Sequence, residues 1–592
     1  MSDWRSIVRE RIGPVHAPRA DKRMSLAEAI RRFVRPGMVL NPVSLQARPV
    51  AALHELIRQF HGKRPRFTFV SSSLSGNYLQ LLGAGLLERA IVSFAGEGYP
   101  TPGPSPVVAR ALAAGDCQFE HWSMLTLSQR LLAGAQGVPF ATTRSLAGSD
   151  MARELEAQGV YREIEDPFAP GRKQGVIRAL QPDLAFVHAW AADPAGAAIC
   201  FPPHQENVYG ALAAKGGVVL TVHRVVDTAF VRSHAELVRI PPERVVAVCE
   251  APYGSHPYGN YAAGIPALTA YANDYPHMRE HREAQETDQR YADWLRRFVL
   301  EPRSHADYLA KLGPARLREL ERLAGPETWR EELEAHASTL DGLGPANPIE
   351  EMVVQAARVT RERIGAAGHS TLLSGVGQAA LAAWLAAHRL REDGVDVTLL
   401  AETGMVGHDP RPADPFLINY RNLPTTTQLT DVIEALGLHA CGAANRCLAT
   451  LGAAQVDRFG NVNSTRTASG RFLVGSGGAN DVANGAAETL LVARQDARTL
   501  VERVDFVTSP GDRVSGLVST HGRYEKRDGE LVLTGVFASA GPDPRAVVEA
   551  IRARCGFALR VADELAWIPG ATDEELAMLR VFDPERFFLG KA

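Results

Sequence analysis

Along this 592-residue chain the hydrophobic pattern keeps changing period, from strand alternation to helical spacing and back, and that switching restricts the fold most. Leu26 to Val34 has the apolar spacing of an amphipathic helix. GMVLNPV (37–43) then reads as a short strand entering a polar loop, and Arg48 to Phe60 is helix-like again. RFTFVSSS (66–73) and RAIVSFAG (89–96) are short apolar runs ending in small polar residues. Short strands alternating with helices predict an α/β fold, with parallel sheets joined by crossover helices.

The second half repeats this order. Glu350 to Ile364 is helix-like, STLLSGVG (370–377) is a strand into a glycine loop, and Gln378 to Leu390 is helical. DLAFVHAWAADPAGAAI (183–199) and CLATLGAAQVDRFGNVN (447–463) both read as strand, Asp-containing turn, strand. The pattern predicts a diverged internal duplication: two similar open-sheet domains with helices on both faces. Residues 325–348 have the Gly, Pro and charged residues of a linker, with room for one short helix. The expected division is an N-terminal extension (1–24), a first domain (25–324), the linker, and a second domain (349–592). Just before the linker, Met278 to Arg297 reads as a solvated helix packed through Tyr291, Trp294 and Phe298.

A formal net charge of −3 gives no electrostatic reason to expect nucleic acid or an anionic membrane as partner. The six cysteines are scattered and none forms a CxxC pair, which suits reduced thiols in a cytosol. The charged N-terminus has no apolar segment of signal-peptide type, and Ala379 to Ala387 is too short to span a bilayer. A soluble cytoplasmic protein is expected.

Four strings carry candidate chemistry. LLAETGMVG (399–407) puts Glu402 at the end of an apolar strand, where open α/β sheets bind ligands. A carboxylate there can attack a thioester carbonyl, or simply cap the next turn. LVGSGGANDVANG (473–485) is a glycine loop after a strand, and Gly475, Gly477 and Gly478 would let backbone N–H groups approach a developing oxyanion. A dinucleotide fingerprint fails there, because Asn480 stands where its last glycine is needed. LLSGVGQAA (372–380) offers Gly375, Val376 and Gly377 at a helix start, a place that favours anions but is equally a plain tight turn. GAAQVDRFGNVNST (452–465) reads as a hairpin, with Asp457 and Asn461 as turn residues. HMREH (277–281) matches an inverted zinc-peptidase string, but it lies in a polar, exposed-looking helix, and no metal site is expected. There is no GxxxxGK[ST] and no GxSxG.

Taken together, these strings resemble family I coenzyme A transferases, the glutaconate and 3-oxoacid CoA-transferase group. AETGMVG looks like the family's catalytic-glutamate segment and GSGGAND like its glycine loop. SGVGQAA and GAAQVDRFGNVNST are similar to the first loop and the hairpin of its β subunit, and all four occur in the family's order. The first half resembles the α subunit through NPVSLQARPVAALHELI (41–57), MLTLSQRLLAGAQGVPFATT (124–143) and APYGSHPYG (251–259). The chain departs from the family pattern in three places. Asn41 and Pro42 stand where the α-subunit loop usually has glycines, and Met124 where 3-oxoacid enzymes carry a glutamine. Trp122 lies near the position of a glutamate in ring-opening hydrolase relatives, so keeping Glu402 without that glutamate argues for transfer.

The resemblance implies a double displacement. Glu402 attacks an acyl-CoA, an acyl-glutamyl anhydride forms, and CoA returns to make a glutamyl-CoA thioester that a second acid discharges. Glu402 is expected to be ionised without help, at the ordinary pKa of about 4.3. Oxyanion donors are expected near Gly377 and Gly477–Gly478. Arg48 and Met124 are candidate substrate contacts, with Arg48 able to pair with a distal carboxylate; a solvated Arg48 before Pro49 is the plain alternative. CoA serves as substrate, so no metal or redox cofactor is expected. The implied partners are an acyl-CoA, a carboxylic acid and further copies of the chain, as a homodimer or larger homo-oligomer. A thioester hydrolase and a non-catalytic CoA-binding regulator are the rival readings.

Overall fold

The computed structural model describes residues 3–13, 20–262, 264–417, 419 and 421–590, so residues 1–2 and 14–19 of the expected extension lie outside the described set. The first large sheet has nine strands. They are β1 (Val39–Pro42), β2 (Phe67–Val70), β3 (Leu87–Val92), β4 (Gln118–His121), β5 (Leu184–Ala192), β6 (Ala198–Ile199), β7 (Val218–Val225), β8 (Val238–Ile240) and β9 (Val245–Glu250). The second sheet has ten. They are β10 (Thr371–Ser374), β11 (Thr398–Ala401), β12 (Met405–Val406), β13 (Gln428–Leu429), β14 (Cys447–Gly452), β15 (Glu488–Val492), β16 (Val514–Val518), β17 (Gly522–Arg527), β18 (Glu530–Phe537) and β19 (Arg560–Ile568).

Both sheets contain the same five-strand parallel unit. Its order is β9-β7-β5-β1-β2 in the first half and β16-β15-β14-β10-β11 in the second. The duplication expected from the alternating pattern is therefore present, and the strands read as continuous apolar runs because both faces are covered. β5 is buried at every position. The plans part at β2 and β11. From β2 the chain crosses over to β3, parallel to it, whereas from β11 it turns straight back as β12, antiparallel.

In the first half, α1 (Val50–Phe60) packs Leu53, Leu56 and Ile57 with Phe67 and Phe69 on one face of the sheet. On the other face, α2 (Met124–Gln136) packs Leu127 and Leu131 against Val70 and Ile91. A short helix, α3 (Tyr209–Ala213), leads into β7. In the second half, α4 (Pro348–Ala367) and α5 (Gln378–Glu392) cover one face, and α6 (Ala479–Gly485) leads into β15. The other face takes a contribution from the first half. Met124 and Leu125, at the start of α2, join the apolar cluster of Leu373, Leu400, Val406 and Leu436. The halves thus share a core, and burying these side chains stabilises the junction by about 1.5–3 kcal/mol each.

Two expectations are corrected. The linker holds two short helices, Trp329–Ala335 and Ala337–Asp341. Met278 to Arg297 is not one solvated helix: it is split between Tyr275–Ala284 and Asp288–Leu295, the second started by the Thr287 side chain capping the Arg290 N–H. Tyr291, Trp294 and Phe298 are buried as expected, but so are His277 and His281, both packed on Trp294. Among the described residues no helix is long and apolar enough to cross a membrane.

Candidate active site

β11 ends at Ala401 and β12 begins at Met405, so Glu402 is the first residue of a tight turn at the carboxyl end of a parallel strand. The Gly404 N–H closes the turn on the Ala401 carbonyl (3.1 Å). Gly404 has φ +111°, and a Cβ there would overlap the Thr430 carbonyl, so the turn accepts only glycine. Leu373 lies beside Leu400 in the parallel β10–β11 register, so the Gly375 loop and the Glu402 turn leave the same ends of adjacent strands.

The glycine loop closes the site from the side. Gly475 has φ +95°, and a Cβ on it would sit 2.6 Å from the Ser93 carbonyl of the first half. Gly477, at φ +54°, donates its N–H to the same carbonyl (3.0 Å) and accepts the Met124 N–H (2.9 Å). Next comes Gly478, whose backbone lies against the Glu402 carboxylate and whose N–H favours its charged form; a Cβ on Gly478 would run into Glu402 Oε2. Glu402 therefore faces a loop that first-half backbone groups hold in place. Gly478 is the donor that meets it, since the N–H groups of Gly477 and Gly475 are taken by the Ser93 and Ser464 carbonyls.

Three residues on from Gly478, Asp481 is buried (1% exposed) at the junction of the halves. It accepts hydrogen bonds from Ser123 Oγ (2.5 Å) and the Leu125 N–H (3.0 Å), both at the start of α2. Beside it, Asn480 accepts the Leu146 N–H and donates to the Thr508 carbonyl, each at 2.8 Å. Burial, and then the nearby Asp481 charge, push the Glu402 carboxyl up to about 7, although the Gly478 N–H favours the ionised form. Solvent reaches part of the Glu402 side chain, but its carboxyl end is crowded by protein, and that crowding governs its titration. The ordinary pKa expected from the sequence is thus corrected.

A coenzyme A transferase family model matches residues 23–251. The A-type chain of glutaconate CoA-transferase from Acidaminococcus fermentans is 26% identical over 318 residues, which is 51% of this chain and 96% of that one. The B-type chain of 3-oxoadipate CoA-transferase from Pseudomonas knackmussii is 29% identical over 203 residues, 32% of this chain and 78% of that one. The chain is thus similar to coenzyme A transferases, to A-type chains in its first part and to B-type chains in its second. An acyl-CoA transferase from E. coli O157:H7, solved as a thioester complex with CoA, shares the fold over 98% of this chain and 99% of that one (TM-score 0.64, 16% identity).

The remaining candidates fall in two groups. Gly375, Val376 and Gly377 lie at the end of β10 where α5 begins. A Cβ on Gly375 would overlap the Thr450 carbonyl, Gly377 adopts φ +82°, and Val376 is 40% exposed. In the first half, Arg48 is half-buried, its guanidinium 4.8 and 4.2 Å from the Tyr78 and Tyr258 ring centres. One Nη donates to the Ser75 carbonyl (2.9 Å) and to Tyr258 Oη (3.1 Å), so Arg48 is a packed cation rather than a solvated one. Met124 meets the glycine loop through its N–H, while its side chain packs in the shared core. His277 and His281 are enclosed by aromatic rings, and no group of metal-ligating side chains forms among the described residues. Asp481, Ser123 and Ser93 carry no mark in the sequence that singles them out. The one local hint is the spacing of Asp481 from Gly478 in GGAND.

Proposed function

We propose that the protein transfers CoA from an acyl-CoA to a free carboxylic acid by a ping-pong reaction through a glutamyl-CoA thioester on Glu402. The observation that carries this reading is the Glu402 carboxylate at a strand-end turn, packed against Gly478 of a loop that first-half backbone groups hold in place. Ionised Glu402 attacks the acyl carbonyl, and the C–S bond breaks to give an acyl-glutamyl anhydride and CoA thiolate. The thiolate attacks the glutamyl carbonyl and expels the first acid as a carboxylate, leaving Glu402 as an uncharged thioester. A second carboxylate attacks that thioester, and the steps run in reverse. A raised pKa makes ionised Glu402 more basic and so a stronger nucleophile. As each tetrahedral oxyanion forms, the Gly478 N–H is placed to receive charge; such a donor is typically worth about 3–4 kcal/mol. CoA supplies the thiol, and the steps call for no electron acceptor.

The acyl group is read as one with a second carboxylate. Arg48 has no acidic partner in a salt bridge among the described residues, which suits an anionic group of the substrate. The relatives named for glutaconate and 3-oxoadipate point to the same class. Arg48→Ala should lower kcat/KM for dicarboxylic acyl groups by roughly ten- to a hundredfold more than for monocarboxylic ones, the cost of a charged hydrogen bond. An equal loss for both classes would leave Arg48 as scaffold.

The deciding experiment is acyl-CoA alone, followed by intact-mass analysis and borohydride. A CoA-sized adduct on Glu402, borohydride inactivation, protection by an acceptor acid and parallel double-reciprocal lines are expected. Steady turnover without acceptor would favour a hydrolase, and no adduct with no turnover a CoA-binding regulator.

A further inference from the structure

Two carboxylates belong to the start of α6, Glu402 packed against its cap from the β11–β12 turn and Asp481 within its first turn, and the mechanism above uses only the first. Glu402 lies against Gly478, the residue that caps α6, and Asp481 is the third residue of that helix. Asp481 has no lysine, arginine or histidine in a salt bridge with it among the described residues; its oxygens are held by Ser123 Oγ and the Leu125 N–H. Ser145 and the Met124 N–H also favour its charged form. The cationic groups on that side, Arg144 and Arg513, act on Cys441, whose Sγ bonds the Asp481 carbonyl (3.4 Å). Leu436 supplies the apolar wall of the pocket near Gly478. Capping α2 does not require Asp481, because Ser123 already accepts the Thr126 N–H in a capping box.

We propose that Asp481 is a positioning residue for the reaction: pinned across the junction of the halves, its carboxylate holds a second negative charge beside Glu402, so that turning Glu402 into an uncharged acyl derivative relieves the repulsion. The inference rests on the reading that Glu402 carries the covalent intermediate. Repulsion between like charges in a desolvated pocket raises the free energy of ionised Glu402 and leaves the neutral anhydride and thioester untouched. Covalent capture is thereby favoured and the nucleophile made more basic. The titration of both groups agrees: Glu402 is pushed up to about 7 by burial and then by Asp481, and Asp481 to about 6 by burial. The two titrate as a coupled pair, so the acid limb of the first half-reaction should be broader than that of a single carboxyl.

The test compares wild type with Asp481→Asn, or Asp481→Ser where the asparagine variant does not fold by circular dichroism. Wild type with acyl-CoA alone comes first: absence of a CoA adduct on Glu402 there sinks the functional reading itself. Given the adduct, two readouts address Asp481. The pH midpoint of borohydride inactivation should move about one unit lower in the variant, because losing a like charge lowers the Glu402 pKa. The fraction of enzyme held as thioester, at a fixed ratio of acyl-CoA to free acid, should fall about tenfold relative to unreacted enzyme. Ser123→Ala removes a donor that favours the charged form of Asp481, so its midpoint should move in the same direction as that of Asp481→Asn but by less. An Asp481 variant that folds with unchanged midpoint and thioester fraction, whatever its Tm, would reduce Asp481 to a structural link and overturn the proposal.

Discussion

The carboxyl ends of β2 and β11 occupy the same place in the two duplicated sheets, yet one is closed and the other open. After β2 comes Ser71; after β11 comes Glu402. Each faces a loop that precedes a short helix, and the loops share an unusual backbone. Gln205 and Asn207 have φ of +46° and +61°, where the second half has Gly475 and Gly477 at +95° and +54°. The first half even carries a carboxylate there, on the loop instead of the turn. Glu206 is 1% exposed and accepts from Ser44 N–H (2.8 Å), Ser72 N–H (2.5 Å), Ser71 Oγ (3.0 Å) and Asn41 Nδ2 (3.4 Å). Its lone pairs are spent on tying loops together. Glu402 has the Gly478 backbone beside its carboxylate and no comparable set of donors tying it to other loops. In the same architecture the two carboxylates differ in how many donors are satisfied by the protein itself, and the proposed chemistry needs the one left less satisfied.

The comparison breaks most sharply at the carboxylates themselves. Glu402→Ala should abolish transfer, leaving less than about a thousandth of wild-type kcat. Its stability should not fall, and above pH 7 should rise. The sign follows from linkage: the folded pKa of Glu402, about 7, lies above its unfolded value, so ionisation costs folding free energy as pH rises from about 4.5 to 7. Denaturant titrations at pH 5 and 8 should show wild type, but not the variant, losing on the order of 2 kcal/mol from this group across that window. Wild-type-like turnover in a verified Glu402→Ala protein would reverse the assignment of roles.

Gly478→Ala should come next, at about a hundredfold or more in kcat, because its Cβ occupies the space of Glu402 Oε2. Gly477→Ala meets no neighbouring atom and suffers only its left-handed backbone, a cost of about 1 kcal/mol, so its effect should be several-fold at most. Steady-state kinetics of the pair settles which glycine faces the chemistry; equal losses would show that loop shape alone matters.

Glu206→Gln should act in the opposite sense to Glu402→Ala. The amide leaves donors facing a donor, at about 1–3 kcal/mol for each unpaired group, so the urea midpoint should drop. Activity per folded molecule should change by no more than a few-fold. A variant with unchanged stability and lost activity would make the first-half carboxylate a participant rather than a tie.

The α/β class, the duplicated order and the contiguous strings around Glu402 and Gly475–Gly478 were legible in the sequence because they depend on neighbours within a few residues. Strand alternation, a glycine at φ +111° and a loop of left-handed residues are short-range requirements that leave local marks. What sets the Glu402 environment is not local. Asp481 meets Ser123 across 358 residues, and Ser93 takes the Gly477 N–H that looked free for catalysis. His277 and His281 belong to a polar-looking string, yet packing against aromatic residues buries them. The ordinary carboxylate expected of Glu402 became one pushed up to about 7 because desolvation and a second buried charge act through space, and only the folded chain decides which groups are near.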